Sequence, residues 1–231
     1  MAVGKTLMIA GGEVNLPFAG EYIRKQGFDT VVCADSGLDA AFRLGLPVQY
    51  AMGDFDSASK EAVQYYRDTA QEEGTQTEFV EYPPEKDATD SEIVLDWITE
   101  KMPSEIYILG ATGKRLDHFL ANVNILMKPL SYGIPAYLID GCNKIYLIDH
   151  SYVIQKKELF GTYISFLPLT EKAVVSLKGF RYGLDRKEMT IGNSLGVSNE
   201  IGKEEDAALV LLEEGILIVV ESRDKEQGEQ E

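Results

Sequence analysis

Short apolar runs, most of them closed by glycine or aspartate, alternate with longer stretches of mixed polarity through the first 140 residues of the chain. Residues 6–10 run into Gly11 and Gly12, Thr30–Ala34 into Asp35, Ser36 and Gly37, and residues 50–52 into Gly53 and Asp54. Phe79 and Val80 open a weaker run, residues 105–109 make a firm one ending at Gly110, and Ala136–Ile139 is another. Unbroken apolar runs of this length mark strands buried on both faces, as in a parallel sheet. Between them lie helical patterns. Residues 59–73 are charged on one face, residues 91–101 space Ile93, Leu95, Trp97 and Ile98 among polar positions, and residues 117–127 do the same with Phe119, Leu120, Val123, Ile125 and Leu126. Strand–helix alternation predicts an α/β unit over residues 1–140, a parallel sheet with helices on both faces. Right-handed crossovers then bring the loops after the strands to one edge, where open sheets bind ligands.

After Cys142 the texture changes. Residues 144–148, Tyr152–Gln155, 162–167 and 173–177 are short β-type runs with turns between them, and no helix is predicted. Further runs at 207–212 and 216–221 flank Glu213-Glu214-Gly215, which reads as a hairpin turn. The pattern predicts an all-β sandwich over residues 141–222, followed by a charged, frayed tail over 223–231.

The chain carries 22 Lys and Arg against 38 Asp and Glu, a formal charge of −16. That balance excludes a sequence-independent grip on nucleic acid and is repelled by an anionic membrane surface. Because 45% of the residues are hydrophobic and 10% aromatic, acidity here does not mean disorder. Cys33 and Cys142 are too few for a disulfide framework and share no metal-type spacing. Residues 1–10 lack the long apolar stretch of a signal peptide, and Glu213 and Glu214 interrupt the most apolar later segment, so a cytoplasmic protein is expected.

The loops after the predicted strands hold the candidate chemistry. Gly53-Asp54-Phe55-Asp56-Ser57 places two carboxylates two residues apart at a strand end, where both can turn toward one hard cation such as Mg²⁺. The same residues also fit a solvated turn in which Asp56 or Ser57 caps the next helix. Lys86-Asp87-Ala88-Thr89-Asp90 offers a further ligand in Asp87 or Asp90. It also reads as a plain helix start, with Thr89 as cap and Glu92 three residues on. The segment from Gly110 to His118 joins glycines, Lys114, Arg115 and Asp117 between a strand and a helix, a seat for phosphate. Gly4-Lys5-Thr6 ends like a phosphate-binding loop but precedes its strand, and Gly113-Lys114 lacks the following Ser or Thr, so neither is one. In the β-rich half, the segment 192–200, with Ser194, Ser198 and Asn199, suits either a polar ligand or a set of turns.

Taken in order, Asp35-Ser36-Gly37, Gly53-Asp54-Phe55-Asp56-Ser57, Asp87-Ala88-Thr89-Asp90, Gly113-Lys114-Arg115-Leu116-Asp117-His118 and Ser198-Asn199 resemble the thiamine pyrophosphokinase family over almost the whole chain. Two departures stand out: Gly113-Lys114-Arg115 replaces a Gly-Gly-Arg, and no tryptophan follows Ser198-Asn199 to stack on thiamine. The resemblance implies a Mg²⁺-dependent transfer of the pyrophosphoryl group of ATP to thiamine, giving AMP and thiamine diphosphate. It also implies a homodimer with active sites at the subunit interface. On that basis Asp54, Asp56 and Asp90 are expected to hold Mg²⁺ and Arg115 to complete the catalytic set. Asp35, Ser36, Asp87, Thr89, Lys114, Arg115 and Asp117 are expected on ATP, with Ser194, Ser198 and Asn199 on thiamine from the partner subunit. The rivals are a pyrophosphokinase for another hydroxymethyl heterocycle such as a pterin, a phosphohydrolase of the haloacid dehalogenase type, and a catalytically silent sensor of nucleotide or thiamine. The phosphohydrolase pattern wants Thr or Val where Ala58 stands.

Overall fold

The structure, a computed structural model, describes residues 3–69, 77–82, 87–113 and 115–224. Contacts divide the chain into Met1–Gly141 and Cys142–Glu231. In the first unit, strands β1 (Val3–Ile9), β2 (Thr30–Ala34), β3 (Tyr50–Gly53), β4 (Glu78–Glu81), β5 (Pro103–Leu109) and β6 (Ala136–Ile139) lie in the order β4-β3-β2-β1-β5-β6. Every pairing is parallel, with Thr6 of β1 opposite Thr30 on one side and Ile106 on the other. Leu7, Met8, Ile9, Val32 and Ile106 are fully buried, which is why these strands read as continuous apolar runs. At the edge, β4 exposes Glu78 and Glu81, and its hydrophobic signal is correspondingly weak.

Strand order dictates the helix faces. From β1 to β4 the chain steps in one direction, so the right-handed crossovers α1 (Leu16–Gln26), α2 (Gly37–Leu44) and α3 (Lys60–Thr69) share a face. From β4 it returns past β1 and continues outward, which puts α4 (Asp90–Glu100) and α5 (Leu116–Ile125) on the other face. Contacts follow this division: α1 and α3 touch α2, whereas α5 and α6 (Met127–Ser131) touch α4. Neither α1 nor α2 is among the helical patterns read from the sequence. α1 buries only Ala19 and Ile23; its start is set by Asn15, whose Oδ1 accepts the Phe18 N–H at 3.1 Å. The helix expected over 117–127 also divides, because Pro129 has no N–H to continue the hydrogen-bond ladder, and α5 gives way to α6 at Leu126. Residues 70–73 of the helix expected over 59–73 lie outside the described residues.

The second unit packs two antiparallel sheets. β7 (Asn143–Ile148), β13 (Leu217–Ser222) and β9 (Tyr163–Pro168) pair in that order, and β11 (Leu184–Thr190), β10 (Lys172–Lys178), β12 (Ala207–Glu214) and β8 (Tyr152–Gln155) form the other sheet. Ile164, Phe166, Leu217 and Val219 come from the first, Val175, Leu177, Met189 and Val210 from the second, all buried. The fold class is thus a parallel α/β sheet followed by an antiparallel β-sandwich. One expectation fails here. Glu213-Glu214-Gly215 is no hairpin turn: β12 pairs with β10 and β8, β13 with β7 and β9, so the turn carries the chain from one sheet to the other. Thr170 fastens the crossing, accepting the Ile216 N–H and donating to the Lys172 carbonyl. β11 went unpredicted because it is an edge strand whose Asp185, Arg186, Lys187 and Glu188 face solvent, with Met189 alone fully inside.

Candidate active site

The sheet order reverses between β1 and β5, and the loops that leave these two strands diverge there to open a crevice. The loops are laced at its floor: Gly12 N donates to Gly110 O at 2.9 Å and Ala10 N to Leu109 O at 2.8 Å. No side chain fits between them. A Cβ on Gly12 would lie 2.2 Å from Gly110 O, and Gly110 itself sits at φ 72. Above this floor is a cleft of about 610 Å³, walled by Gly11–Glu13, Asp35, Ser36, Ser57, Thr89–Ser91, Gly110, Ala111, Gly113, Arg115, His118 and Asn122. Gly11-Gly12-Glu13 and Asn122 were not singled out from sequence. The glycines could have been found by applying to β1 the strand-end rule applied to its neighbours. Asn122 is buried and donates to the Ala111 carbonyl at 2.9 Å, tying α5 to the glycine loop; no local sequence signal marks it.

Beside the cleft, one carboxylate oxygen from each of Asp35, Asp54 and Asp56 lies within 4.8 Å of the others. Asp35 is 9% exposed and sits at φ 46; its Oδ1 has no hydrogen-bond partner among the described residues. Its Oδ2 accepts the Ser57 hydroxyl at 2.7 Å, and the same hydroxyl lies 2.9 Å from Asp56 Oδ1, so a single proton serves two carboxylates. Asp39 steadies the loop from α2, accepting the Ser59 N–H at 3.0 Å and its hydroxyl at 2.6 Å. Three converging carboxylates, one of them buried with an orphaned oxygen, are a poor arrangement for water alone and a good one for a hard divalent cation. The third member differs from the expected set: Asp35 joins Asp54 and Asp56, while Asp90 lines the cleft outside the trio.

On the other wall Arg115 grips Asp117 through two hydrogen bonds, Nε to Oδ1 at 3.2 Å and Nη2 to Oδ2 at 2.6 Å. That grip holds the Asp117 carboxyl down at about 2 and pushes the Arg115 guanidinium up. Both side chains stay exposed at the start of α5, where backbone N–H groups and the helix dipole favour an anion. Ser36 donates to Gly11 O at 3.3 Å. Thr89 caps α4, its Oγ1 accepting the Glu92 N–H at 3.2 Å, and Asp87 is exposed just before it. Lys114 lies outside the described residues.

In the second unit the segment 196–199 runs antiparallel alongside β9. Phe166 N donates to Gly196 O, and Ile164 exchanges hydrogen bonds with Asn199. Ser198 sits exposed at φ 56 with its N–H on Ser165 Oγ, and Ser194 is exposed. Asn199 is 3% exposed and its carboxamide is committed internally. Oδ1 accepts from Tyr182 N and Glu200 N, and Nδ2 donates to Tyr182 O.

Residues 24–138 match the thiamin pyrophosphokinase catalytic domain, and residues 151–217 match the thiamin pyrophosphokinase vitamin B1 binding domain. Thiamine pyrophosphokinase from Bacillus subtilis is 34% identical over 94% of this chain and 98% of its own. The chain belongs to the thiamine pyrophosphokinase family. The family is one of diphosphotransferases, and the chain resembles its members over nearly the whole length. A crystal structure of the Bacillus subtilis thiamine pyrophosphokinase superposes with a TM-score of 0.81 at 30% identity, covering 96% of this chain and 100% of that one. Yeast thiamin pyrophosphokinase, at 17% identity, shares the fold with a TM-score of 0.77 over 96% of this chain and 87% of that one. No helix among the described residues is long and apolar enough to cross a membrane.

Proposed function

We propose that this thiamine pyrophosphokinase family member transfers the pyrophosphoryl group of ATP to the hydroxyl of thiamine, with Mg²⁺. The observation that carries the reading is the Asp35–Asp54–Asp56 trio beside a glycine-floored cleft at the switch point of the sheet. The thiamine oxygen forms a bond to the β-phosphorus, the bond between that phosphorus and the oxygen bridging to the α-phosphate breaks, and AMP leaves with the electron pair. Asp35, Asp54 and Asp56 hold the cation, which when bound neutralises phosphate charge and orients the nucleotide oxygens. The glycine floor lets phosphate approach the backbone, with Ser36 beside it and Thr89 and Asp87 shaping the adjoining helix start. Arg115, held in place by Asp117 and aided by Lys114, stabilises charge on the departing AMP. Asp90, lying outside the trio, takes the thiamine hydroxyl proton; a carboxylate bound to metal is a poor base.

Thiamine is held by the β-rich unit of a second copy through Ser194 and Ser198, with Asn199 shaping the turn that presents them. Exposed apolar residues support a homodimer. Leu116 and Leu120, one helical turn apart next to Arg115, are 72% and 61% exposed, and Ile191, Leu195 and Val197 are exposed around Ser194. The enzyme works in the cytoplasm, which keeps Cys33 and Cys142 as thiols. Incubation with ATP, Mg²⁺ and thiamine, scoring AMP and thiamine diphosphate against a hydroxymethyl pterin, tests the assignment. Thiamine diphosphate is expected, and product from the pterin alone overturns it. Asp56→Asn is expected to abolish AMP formation with the fold intact, and full activity in that variant sinks the metal assignment.

A further inference from the structure

Between Asp54 and Asp56 the chain places a phenylalanine in the left-handed region, Phe55 at φ 57. Glycine or asparagine takes that conformation at lower cost, and a residue with a ring takes it only when its surroundings compensate. The reversal closes a tight turn in which Asp56 N donates to Asp54 Oδ1 at 3.2 Å, and it is within this turn that the two carboxylates converge with Asp35. The compensation is a ring contact. Phe55 meets Phe79 at 5.4 Å between centroids and 62° between planes, the edge-to-face geometry that aromatic pairs favour. Phe79 lies on β4, opposite Ala51 of β3, the strand that feeds the acidic loop. The Arg67 guanidinium stands 5.2 Å from the Phe79 ring and is itself paired with Glu81 at 2.6 Å.

We propose that Phe55 is a positioning residue for the cation site: its ring, braced on Phe79, holds the Asp54 and Asp56 carboxylates converged before the cation arrives. The inference rests on the reading of the trio as the divalent-cation site. Carboxylates on a half-exposed loop must otherwise be ordered when the ion binds, and a strut from loop to sheet removes that cost in advance.

Mn²⁺ binding to the full-length protein without nucleotide, followed by electron paramagnetic resonance, reads the effect without recourse to turnover. Phe55→Ala and Phe79→Ala are each expected to weaken Mn²⁺ binding about tenfold, which corresponds to about 1.4 kcal/mol. The double variant should be no worse than either single by more than about twofold, since both remove one coupled contact. Phe55→Tyr should bind within about twofold of the parent. If Phe79→Ala fails to fold, Phe79→Leu keeps an apolar residue on β4 and still removes the ring. Parent-like Mn²⁺ affinity in Phe55→Ala, with only the melting temperature lowered, overturns the proposal, as do fully additive losses in the double variant. Asp56→Asn separates the two levels. Undiminished Mn²⁺ binding there defeats the cation-site reading itself, while lost binding there alongside intact binding in Phe55→Ala defeats the strut alone.

Discussion

Asp35 is where stability and metal binding oppose each other most sharply. Its carboxylate is 9% exposed, has one oxygen without a partner among the described residues, and shares a 4.8 Å neighbourhood with Asp54 and Asp56. Unit charges at that separation repel by about 3 kcal/mol per pair at an effective dielectric constant of about 20. Asp35 takes part in two of the three pairs. Asp56 is exposed, so solvent screens much of this, and about 2 kcal/mol is recoverable by neutralising Asp35. Asparagine tolerates the left-handed φ and can still accept the Ser57 hydroxyl, so Asp35→Asn changes charge with little change in shape. The variant should therefore melt about 4–8 °C above the parent in EDTA. Added Mg²⁺ should stabilise the parent more than the variant and narrow that gap. At a concentration a hundredfold above its dissociation constant the ion stabilises the parent by about 2.7 kcal/mol, and a tenfold loss of affinity cuts that to about 1.4 kcal/mol. Differential scanning fluorimetry across an EDTA-to-Mg²⁺ series measures both quantities. A variant that melts below the parent in EDTA, or that gains as much from Mg²⁺, would refute the account of the trio.

Gly12→Ala should weaken ATP binding by about tenfold or more, because the new Cβ would stand 2.2 Å from Gly110 O and must push the two laced loops apart; unchanged affinity by calorimetry would show that the floor yields. Asp117 should titrate at about 2, not at the ordinary 3.8, so the stability its Arg115 pair contributes is fully present above the ordinary value and is lost only as pH falls through about 2. Carboxyl-detected NMR checks this, and a midpoint near the ordinary value means the pair does not persist in solution. Asn199→Ala should destabilise the β-rich unit by about 2–4 kcal/mol in urea unfolding, since it strands the Tyr182 and Glu200 backbone groups that the buried carboxamide satisfies. A loss of thiamine affinity at parental stability would instead place Asn199 on the ligand.

The strands were readable wherever both sheet faces are covered, because burial on two sides demands an uninterrupted apolar run: Thr30–Ala34 and Ala136–Ile139 emerge at their full bounds. Where burial is partial the signal fades. β11 pairs through its backbone while its side chains face water, and α1 is set by a cap and a short contact face more than by a stripe. The turn at 213–215 shows the limit of local reading, since a glycine-bearing turn between two apolar runs looks the same whether it joins neighbours in one sheet or crosses between two.

Charge and local order along the chain were enough to determine the α/β-then-β organisation and the loops in which carboxylates and cations gather. Which of those carboxylates meet was a tertiary decision. Asp35 and Asp54 are nineteen positions apart in sequence, and they converge because β2 and β3 are neighbours in the sheet, both ending at the same edge. Asp90, the first residue of α4, lines the cleft and stays outside the trio. Likewise Gly12 and Gly110 are a pair only because β1 and β5 lie side by side, which requires the chain to return across the sheet after β4. Local sequence sets the chemistry a strand end can offer; strand order, fixed by long-range packing, sets which offers meet.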